Sequence, residues 1–274
     1  MKGVAGRVAI VTGGTVGIGR QVCLALARRG ARVVAVGRSR QRLEDIGREL
    51  AALAGDSRCL ALAGDVRREQ DVEAMAAETL ARFGRIDILV AAAGILRGGD
   101  GSLRLLKDMS LAEWDEVLDT NLRGVFLANR AVLPAMIRQG GGDIVNLSST
   151  SGKKGLAFDS AYCASKFAVI GLTEALAVEA ARYGIRVRSL LPGAIETGMW
   201  NQNGPLPRPG AILPVERVAE MVIWMLANPE DMDLDGVVIE PAARGLHSGW
   251  LAHHSKRSQE AHLCTVVPAR IGRL

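Results

Sequence analysis

Short runs of apolar residues alternate with longer segments of helical periodicity along most of the chain. The short runs are rich in Val, Ile, Leu and Ala and end in glycine or polar residues, which is typical of buried strands. The longer segments repeat apolar residues every three or four positions, as amphipathic helices do. This pattern predicts strands at 7–12, 31–36, 59–63, 87–91, 143–147, 185–191 and 236–240, and helices at 17–29, 40–53, 69–82, 111–138, 162–183 and 215–227.

The strict alternation of strands and helices predicts an α/β fold. Because crossovers between parallel strands are right-handed, the strands are expected to form one doubly wound parallel sheet of about seven strands, with helices on both faces. Residues 1–243 show no linker and no second apolar core, so they are predicted to form a single domain, followed by a basic, His-containing tail at 244–274. Sheets of this kind bind ligands at the carboxyl ends of their strands.

The composition agrees with this architecture and narrows the class of protein. Apolar residues make up 49% of the 274 residues and aromatic residues only 4%, which favours an aliphatic core. The formal net charge is +5, of which the tail carries +4, so the domain is nearly neutral and nucleic acid is not an expected partner. The sequence shows no apolar run of about 18 residues, no signal-peptide pattern and no cysteine motif, so we expect no membrane segment and a cytoplasmic location.

A glycine-rich segment separates the first predicted strand from the first predicted helix. Residues 12–19 read Thr-Gly-Gly-Thr-Val-Gly-Ile-Gly, with the spacing Gly-x-x-x-Gly-x-Gly. Glycines let a backbone turn tightly and approach a pyrophosphate at a helix N-terminus. The spacing differs from the usual Rossmann Gly-x-Gly-x-x-Gly, and an ordinary glycine-rich turn is the alternative. The position between a strand and a helix nevertheless predicts a dinucleotide-binding loop.

Tyr162 and Lys166 lie four residues apart in a predicted helix and therefore share one face. An ammonium group beside a phenol favours phenolate, so we expect Lys166 to lower the pKa of Tyr162 from its ordinary value of about 10. A phenol tuned in this way can act as a general acid or base near neutral pH. The spacing Tyr-x-x-x-Lys is common by chance, so the pair indicates a catalytic function only in combination with the glycine-rich loop.

With this loop and this pair, the chain resembles the classical short-chain dehydrogenase/reductase family over about residues 4–241. The resemblance implies four catalytic residues, Asn121, Ser149, Tyr162 and Lys166. Ser149 is preferred to Ser148 because it precedes Tyr162 by thirteen residues, a spacing familiar in the family. The resemblance also implies a set of cofactor contacts, made by Gly13, Thr15, Gly17, Ile18, Gly19, Asp65, Val66, Ala93, Gly94, Tyr162, Lys166, Pro192, Gly193, Ile195 and Thr197.

The resemblance also implies how a carbonyl would be reduced. Tyr162 would give the proton and Ser149 would polarise the carbonyl oxygen. Lys166 would lower the pKa of the phenol and hold the nicotinamide ribose, while Asn121 would support Lys166 through a water relay. The nicotinamide would supply the hydride. The chain departs from the family at Ala91 and Ala92, which stand where two asparagines usually support the sheet and the cofactor loop.

The segment after the second predicted strand indicates which nicotinamide cofactor binds. A site for NAD(H) needs an acid there for the ribose 2′-hydroxyl, whereas an arginine suits a 2′-phosphate. Gly37 stands where the acid is expected, and Arg38 and Ser39, which follow it, can both contact phosphate. The alternative is a solvated arginine in a basic loop. A supporting cation often precedes the second glycine of the cofactor loop, but Val16 occupies that position here. We predict NADP(H) in preference to NAD(H).

The sequence therefore predicts an NADPH-dependent oxidoreductase that transfers a hydride between the nicotinamide and a carbonyl or secondary alcohol of ketone or 3-oxoacyl type. The alternatives are an NAD-dependent alcohol dehydrogenase and a cofactor-binding sensor on the same fold. Residues 198–210 are rich in proline and glycine and predict a lid over the substrate. Lys153 and Lys154 are interpreted as a solvated pair, with attraction of an acidic substrate or acyl carrier as the alternative.

The predicted tail holds all four histidines, which are His247, His253, His254 and His262. Their irregular spacing and the single acid, Glu260, predict no metal site. We expect a surface arm or a strap at a subunit interface instead. The resemblance implies a homodimer or a homotetramer.

Overall fold

The computed structural model describes residues 3–202, 208–228, 232, 234 and 236–242. Within these residues the strands are β1 (Val8–Thr12), β2 (Arg32–Gly37), β3 (Cys59–Ala63), β4 (Ile88–Ala91), β5 (Gly142–Leu147), β6 (Ile185–Pro192) and β7 (Val237–Ile239). The α-helices are α1 (Gly17–Arg28), α2 (Arg40–Ala54), α3 (Glu69–Phe83), α4 (Leu111–Leu118), α5 (Gly124–Gln139), α6 (Ser160–Ala181) and α7 (Val215–Ala227).

The strands form one parallel sheet in the order β3-β2-β1-β4-β5-β6-β7. The chain runs outward from β1 to β3, returns to the centre and continues on the other side of β1 with β4. Because the direction reverses between β1 and β4, the loops that follow these strands separate and leave a crevice at their carboxyl ends. The prediction of a doubly wound parallel sheet with helices on both faces is confirmed.

Two apolar clusters cover the two faces of the sheet. Ala9 and Val11 of β1 belong to the cluster that α1, α2 and α7 close, and Ile10 belongs to the cluster that α3, α5 and α6 close. This alternation follows from the pleat of a strand, in which neighbouring side chains point to opposite faces. Since both faces are covered, every residue of β1 and β4 is buried. The sheet is therefore a rigid base for the loops at its carboxyl edge.

Most predicted elements agree with the structure to within a few residues, and the main difference lies in the predicted helix at 111–138. This region contains α4, then a π-helical segment at Asp119–Arg123, and then α5. A π-helical turn inserts an extra residue and so rotates the side chains that follow it. The apolar periodicity is too coarse to reveal a shift of one residue. Asn121 lies in this segment.

α6 is 22 residues long and has a mean hydropathy of 1.3 in its most apolar window, enough by length and composition to cross a membrane. Its place in the fold explains this apolarity, because one face packs on β5 and β6. Tyr162 and Lys166 are among the buried residues of that helix. We therefore interpret α6 as a core helix that carries the predicted acid–base pair to the edge of the sheet.

Residues Met1–Pro241 form one compact unit. The tail predicted at 244–274, with its histidines, lies outside the described residues, so the surface arm or interface strap stays a prediction. Of the lid predicted at 198–210, the structure describes residues 198–202, which form a short 3₁₀ helix, and residues 208–210.

Candidate active site

The loop between β1 and α1 leaves no room for side chains at two of its glycines. A Cβ atom on Gly19 would lie 2.3 Å from the carbonyl oxygen of Gly13, and one on Gly13 would lie 2.8 Å from Cα of Ala93. Gly13 also has a φ of 66°, which favours glycine. The first turn of α1 has no acidic residue, and Val16 provides no side-chain cap. The loop is thus a bare backbone surface at a helix N-terminus, which fits a pyrophosphate.

The end of β2 excludes the acidic side chain that an NAD(H) site would need. A Cβ atom on Gly37 would lie 2.6 Å from Cγ2 of Thr15, which is itself buried. The next side chain, that of Arg38, is 57% exposed. The hydroxyl of Ser39 accepts a long hydrogen bond of 3.5 Å from the N–H of Arg42 and so caps α2. This position offers a cation and a hydroxyl, but no carboxylate from β2.

Asp65 follows β3 and is held by Arg67, a residue that the sequence analysis missed. The guanidinium of Arg67 contacts both carboxylate oxygens, with Nε 3.0 Å from each of them and Nη2 2.5 Å from Oδ2. Partial burial raises the pKa of Asp65, but the hydrogen bonds and the charge of Arg67 outweigh burial, so the pKa lies below its ordinary value. Asp65 is therefore a charged carboxylate near neutral pH. The neighbouring Val66 is buried and fills the space beside Gly124.

The segment after β4 replaces the polar support of the missing asparagines with packing and a hydroxyl. Ala91 is buried in a small apolar cluster with side chains of α5 and α6. The hydroxyl of Thr12, at the end of β1, accepts a hydrogen bond of 3.4 Å from the N–H of Ala93. The N–H of Ala92 donates to the carbonyl oxygen of Thr12 at 3.2 Å. β4 and the cofactor loop are therefore joined directly through Thr12.

Asn121 is fully buried and joins the loop after β4 to α6. Its Nδ2 donates to the carbonyl oxygen of Ile95 at 2.8 Å and to Oγ of Ser165 at 3.1 Å, while its Oδ1 accepts the N–H of Ile95 at 2.8 Å. A Cβ atom on Gly94 would lie 3.3 Å from this Oδ1 and 3.6 Å from Nζ of Lys166. Asn121 thus lies beside Lys166, and the water relay between them stays a prediction.

The two candidate serines have different partners. Oγ of Ser148 donates to the backbone carbonyl of Lys166 at 2.8 Å and is used within the fold. Oγ of Ser149 accepts the N–H of Ser151 at 3.1 Å, lies 3.3 Å from the carbonyl oxygen of Pro192, and stands close enough to Tyr162 to act on the pKa of that phenol. The hydroxyl of Ser149 is therefore the one beside the phenol.

Burial dominates the electrostatics of Tyr162 and Lys166, and the expectation of a lowered pKa for Tyr162 is wrong in this structure. Burial raises the pKa of Tyr162 to about 12, although the hydrogen bond with Ser149 lowers it. Burial also lowers the pKa of Lys166 to about 8. Nζ of Lys166 lies 5.6 Å from the centre of the Tyr162 ring and donates to the carbonyl oxygen of Leu147 at 2.8 Å. Loss of water around the phenol therefore sets the direction of its pKa shift.

A buried ion pair next to Tyr162 also escaped the sequence analysis. Nη2 of Arg97 lies 2.6 Å from Oδ1 of Asp159, and the two side chains are only 6% and 12% exposed. Burial raises the pKa of Asp159 despite the charge of Arg97. Asp159 directly precedes α6, and Phe158 before it has a φ of 66°, a backbone strain of about 1–3 kcal/mol. The two charges are 62 residues apart in sequence, so no local pattern could reveal their pairing.

The segment after β6 returns to the glycine-rich loop. Gly193 donates its N–H to β7 at 2.9 Å, and Ile195 is buried. The carbonyl oxygen of Ile195 accepts the indole N–H of Trp200 at 2.6 Å, which ties down the start of the predicted lid. Cγ2 of Thr197 lies 3.5 Å from where a Cβ atom on Gly17 would stand. The segment predicted to meet the nicotinamide therefore borders the segment predicted to meet the pyrophosphate.

These residues fit a nicotinamide dinucleotide. The bare backbone at Gly13 and Gly19 suits the pyrophosphate, the ends of β2 and β3 suit the adenosine half, and Tyr162 and Lys166 stand where the nicotinamide half would bind. In the described part of the chain, no three His, Cys, Asp or Glu side chains are gathered as ligands for a metal ion. The histidines of the tail lie outside it.

Comparison with known proteins agrees with this geometry. A family model described as short chain dehydrogenase matches residues 7–206. Levodione reductase of Leifsonia aquatica is 42% identical over 193 residues, which cover 70% of this chain and 71% of that protein. The crystal structure of a levodione reductase aligns with a TM-score of 0.80 and 34% identity, over 86% of this chain and 96% of that chain. The structure of an actinorhodin polyketide ketoreductase with NADPH aligns with a TM-score of 0.77 and 32% identity, over 85% and 95% of the two chains.

The family match extends from the start of β1 past the end of β6, and so includes the glycine-rich loop, Asn121, Ser149 and the helix of Tyr162. The chain therefore belongs to the classical short-chain dehydrogenase/reductase family, whose members are oxidoreductases that bind a nicotinamide cofactor and act on alcohol or carbonyl groups.

Proposed function

We propose that the protein is an NADPH-dependent carbonyl reductase, which transfers a hydride between the nicotinamide and a small ketone or 3-oxoacyl substrate, or the corresponding secondary alcohol. The observation that carries this proposal is the burial of Tyr162, Ser149 and Lys166 side by side at the carboxyl edge of the sheet, with the Lys166 ammonium 5.6 Å from the centre of the phenol ring. The similarity to a levodione reductase and to a ketoreductase supports a carbonyl as the reacting group.

The two hydroxyl groups suit the charge that develops during the reaction. Reduction of a carbonyl places negative charge on its oxygen, so hydrogen-bond donors must already be in position. We assign Ser149 to hold and polarise this oxygen and Tyr162 to give it a proton. When bound, the reduced nicotinamide supplies the hydride. In the oxidative direction the phenolate of Tyr162 would take the proton back.

The protonation states of Tyr162 and Lys166 suit the delivery of a proton to a carbonyl oxygen. With a pKa of about 12, Tyr162 keeps its proton at neutral pH until a substrate oxygen gains negative charge. With a pKa of about 8, Lys166 exchanges protons near neutral pH and can return one to the phenolate. Asn121 is assigned a positioning role, because it connects Ile95 in the loop after β4 to Ser165, which directly precedes Lys166 on α6. The relay from Asn121 to Lys166 through a water molecule is part of this proposal.

The choice of NADP(H) rests on the end of β2. Thr15 occupies the space that an acidic side chain at position 37 would need. Arg38 is largely exposed and can form a bidentate contact with a 2′-phosphate, to which the Ser39 hydroxyl can add a hydrogen bond. An NAD-dependent alcohol dehydrogenase is the second candidate, and one observation favours it. The charged carboxylate of Asp65 lies 4.0 Å from Arg38 and opposes a phosphate there.

A cofactor-binding sensor on the same fold is the third candidate. Such a protein needs the dinucleotide site but has no use for a proton donor. Here the positions of Asn121, Ser149, Tyr162 and Lys166 all carry the residues that catalysis requires. The buried ammonium of Lys166 also costs stability, which a protein without catalysis has no reason to retain.

We further propose a homodimer or homotetramer, because apolar side chains are exposed along two neighbouring helices. Phe126 and Ile137 of α5 are 43% and 39% exposed, and Phe167 and Val178 of α6 are 47% and 81% exposed. The members of each pair are eleven residues apart and so lie on one side of their helix. Exposed apolar surface of this kind is typical of an interface between subunits.

A cytoplasmic location is also part of the proposal. Cys23, Cys59 and Cys163 are free thiols, which is typical of proteins in a reducing compartment. We propose a small molecule as the substrate, and neither nucleic acid nor a membrane as a partner, because the net charge of the chain is concentrated in the predicted tail.

Replacing Tyr162 with phenylalanine should lower kcat at least about 100-fold, because the variant has no proton to give. The measurement is NADPH oxidation with a panel of ketones and 3-oxoacyl thioesters. Binding of NADPH, followed by nucleotide fluorescence, should survive. Tyr183→Phe is the matched control, since the Tyr183 hydroxyl accepts an exposed hydrogen bond from Arg182, and full activity is expected. Near wild-type turnover of Tyr162→Phe would remove the phenol from the mechanism.

Replacing Arg38 with alanine should weaken binding of NADPH about 10- to 100-fold relative to NADH, since a hydrogen bond to a charged group contributes about 1.5–3 kcal/mol. The measurement is the dissociation constant of each nucleotide by fluorescence titration. Arg40→Ala is the control, because the Arg40 side chain is 94% exposed and pairs with Glu44 on α2. A wild-type protein that binds NADH more tightly than NADPH would refute the choice of cofactor.

Replacing Val178 with glutamate should reduce the mass of the particle in solution, because it places a charge at the most exposed of the four apolar side chains of the proposed interface. Light scattering coupled to size-exclusion chromatography measures this mass. Leu53→Glu is the matched control on α2, where Leu53 is 43% exposed, and its mass should equal that of the wild type. A wild-type protein that is monomeric at all concentrations tested, or an unchanged mass for Val178→Glu, would rule out this interface.

A further inference from the structure

We propose that Arg67 is a further specificity-determining residue for the cofactor, because it neutralises Asp65 and so leaves Arg38 available for the 2′-phosphate of NADPH. This inference rests on the proposed function, and in particular on NADP(H) as the cofactor.

The sheet brings Arg38 and Asp65 together. β2 and β3 are paired in parallel, with Gly37 opposite Ala63, and the N–H of Gly64 donates to the carbonyl oxygen of Gly37 at 3.0 Å. The residues that follow the two strands therefore emerge side by side at the carboxyl edge of the sheet. Nη1 of Arg38 lies 4.0 Å from Oδ2 of Asp65. A carboxylate thus stands beside the cation that is proposed to bind a phosphate.

An uncompensated Asp65 would oppose NADPH in two ways. Its side chain is only 15% exposed, so water screens its charge weakly, and the charge would repel a 2′-phosphate nearby. It would also attract Arg38 into an ion pair and so withdraw the guanidinium from the phosphate. NADH, which carries a hydroxyl at this position, would suffer neither effect. The net charge around Asp65 therefore affects how strongly the site prefers NADPH to NADH.

Arg67 provides this balance. Its Nε is 3.0 Å from each oxygen of Asp65, its Nη2 is 2.5 Å from Oδ2, and its backbone N–H donates to Oδ1 at 3.0 Å. Such a two-pronged contact between an arginine and a carboxylate is among the strongest that side chains form. By contrast, Arg38 lies beyond hydrogen-bond distance from the same carboxylate. With Asp65 and Arg67 paired, Arg38 remains as the cation that directly follows β2. A second carboxylate, that of Asp71, accepts the N–H of Asp65 at 3.0 Å and is paired with Arg68 at 3.6 Å.

Arg67 also has a structural contact, which any test must separate from its effect on specificity. Its Nη1 lies 3.6 Å from Oε1 of Glu116 on α4, so it connects the loop after β3 to that helix. A loss of this connection would disturb the adenosine pocket. NADH and NADPH differ only at the 2′ position of the adenosine ribose. A disturbed pocket would therefore weaken the binding of both nucleotides equally. The ratio of their dissociation constants responds only to the 2′ position.

The experiment is a fluorescence titration of NADPH and NADH against the full chain and its variants. For Arg67→Gln we expect the ratio of the NADH to the NADPH dissociation constant to fall about tenfold. Arg67→Lys, which keeps the charge and guards against misfolding of the first variant, should retain most of the preference for NADPH. Adding Asp65→Asn to Arg67→Gln removes the uncompensated carboxylate and should restore the ratio. Arg48→Gln is the matched control, because Arg48 is 75% exposed and pairs with Asp45 on α2, and its ratio should equal that of the wild type.

The outcomes distinguish this inference from the proposal beneath it. A wild-type preference for NADH would overturn the choice of cofactor, and the role of Arg67 with it. A wild-type preference for NADPH that is unchanged in Arg67→Gln would overturn only the role of Arg67. Equal weakening of both nucleotides in Arg67→Gln would assign Arg67 a purely structural role and would also overturn the inference.

Discussion

The buried amide of Asn121 is the interaction on which the rest of the site depends. Three of its hydrogen bonds reach Ile95, after β4, and Ser165, on α6, and Ser165 in turn donates to the backbone carbonyl of Tyr162 at 2.7 Å. The π-helical segment at Asp119–Arg123 is what turns this amide inward. If the amide were lost, the part-buried backbone groups of Ile95 would lose their partner, at up to about 1–3 kcal/mol for each group. The order of the strands brings these segments together, and Asn121 fixes their spacing.

Burial also sets the chemistry of the acid–base pair. It disfavours the charged form of either group, so the pKa of Tyr162 rises to about 12 while that of Lys166 falls to about 8. The pair therefore combines a phenol that keeps its proton with an amine that exchanges protons near neutral pH, which suits proton delivery to a reduced carbonyl. The same burial makes hydrogen bonds around the pair essential, and the carbonyl of Leu147 provides one for the lysine at 2.8 Å.

The sequence predicted the features that depend on local patterns of residues. Apolar runs gave the strands, the glycine spacing gave the cofactor loop, and Gly37 followed by Arg38 gave the proposed preference for phosphate. It did not reveal the π-helical segment, because inserting one residue in a turn hardly changes the apolar period. It also missed the partner of Asp159, because Arg97 is 62 residues away in the sequence. The partner of Asp65, two residues away, was missed because the pairing depends on the conformation of the loop after β3. The predicted direction of the pKa shift at Tyr162 was wrong. The spacing of two residues on a helix indicates that a charge is near, but it does not indicate how far the phenol is shielded from water.

Transfer of a hydride from the nicotinamide to a carbonyl carbon in this site can be measured directly. NADPH carrying deuterium at the transferable position of the nicotinamide is incubated with the protein and a panel of ketones and 3-oxoacyl thioesters, and the products are analysed by mass spectrometry. We predict that at least one substrate gives an alcohol with one deuterium on the carbinol carbon. NADPH binding with no oxidation of NADPH by any carbonyl of the panel would contradict it and would favour a cofactor-binding sensor.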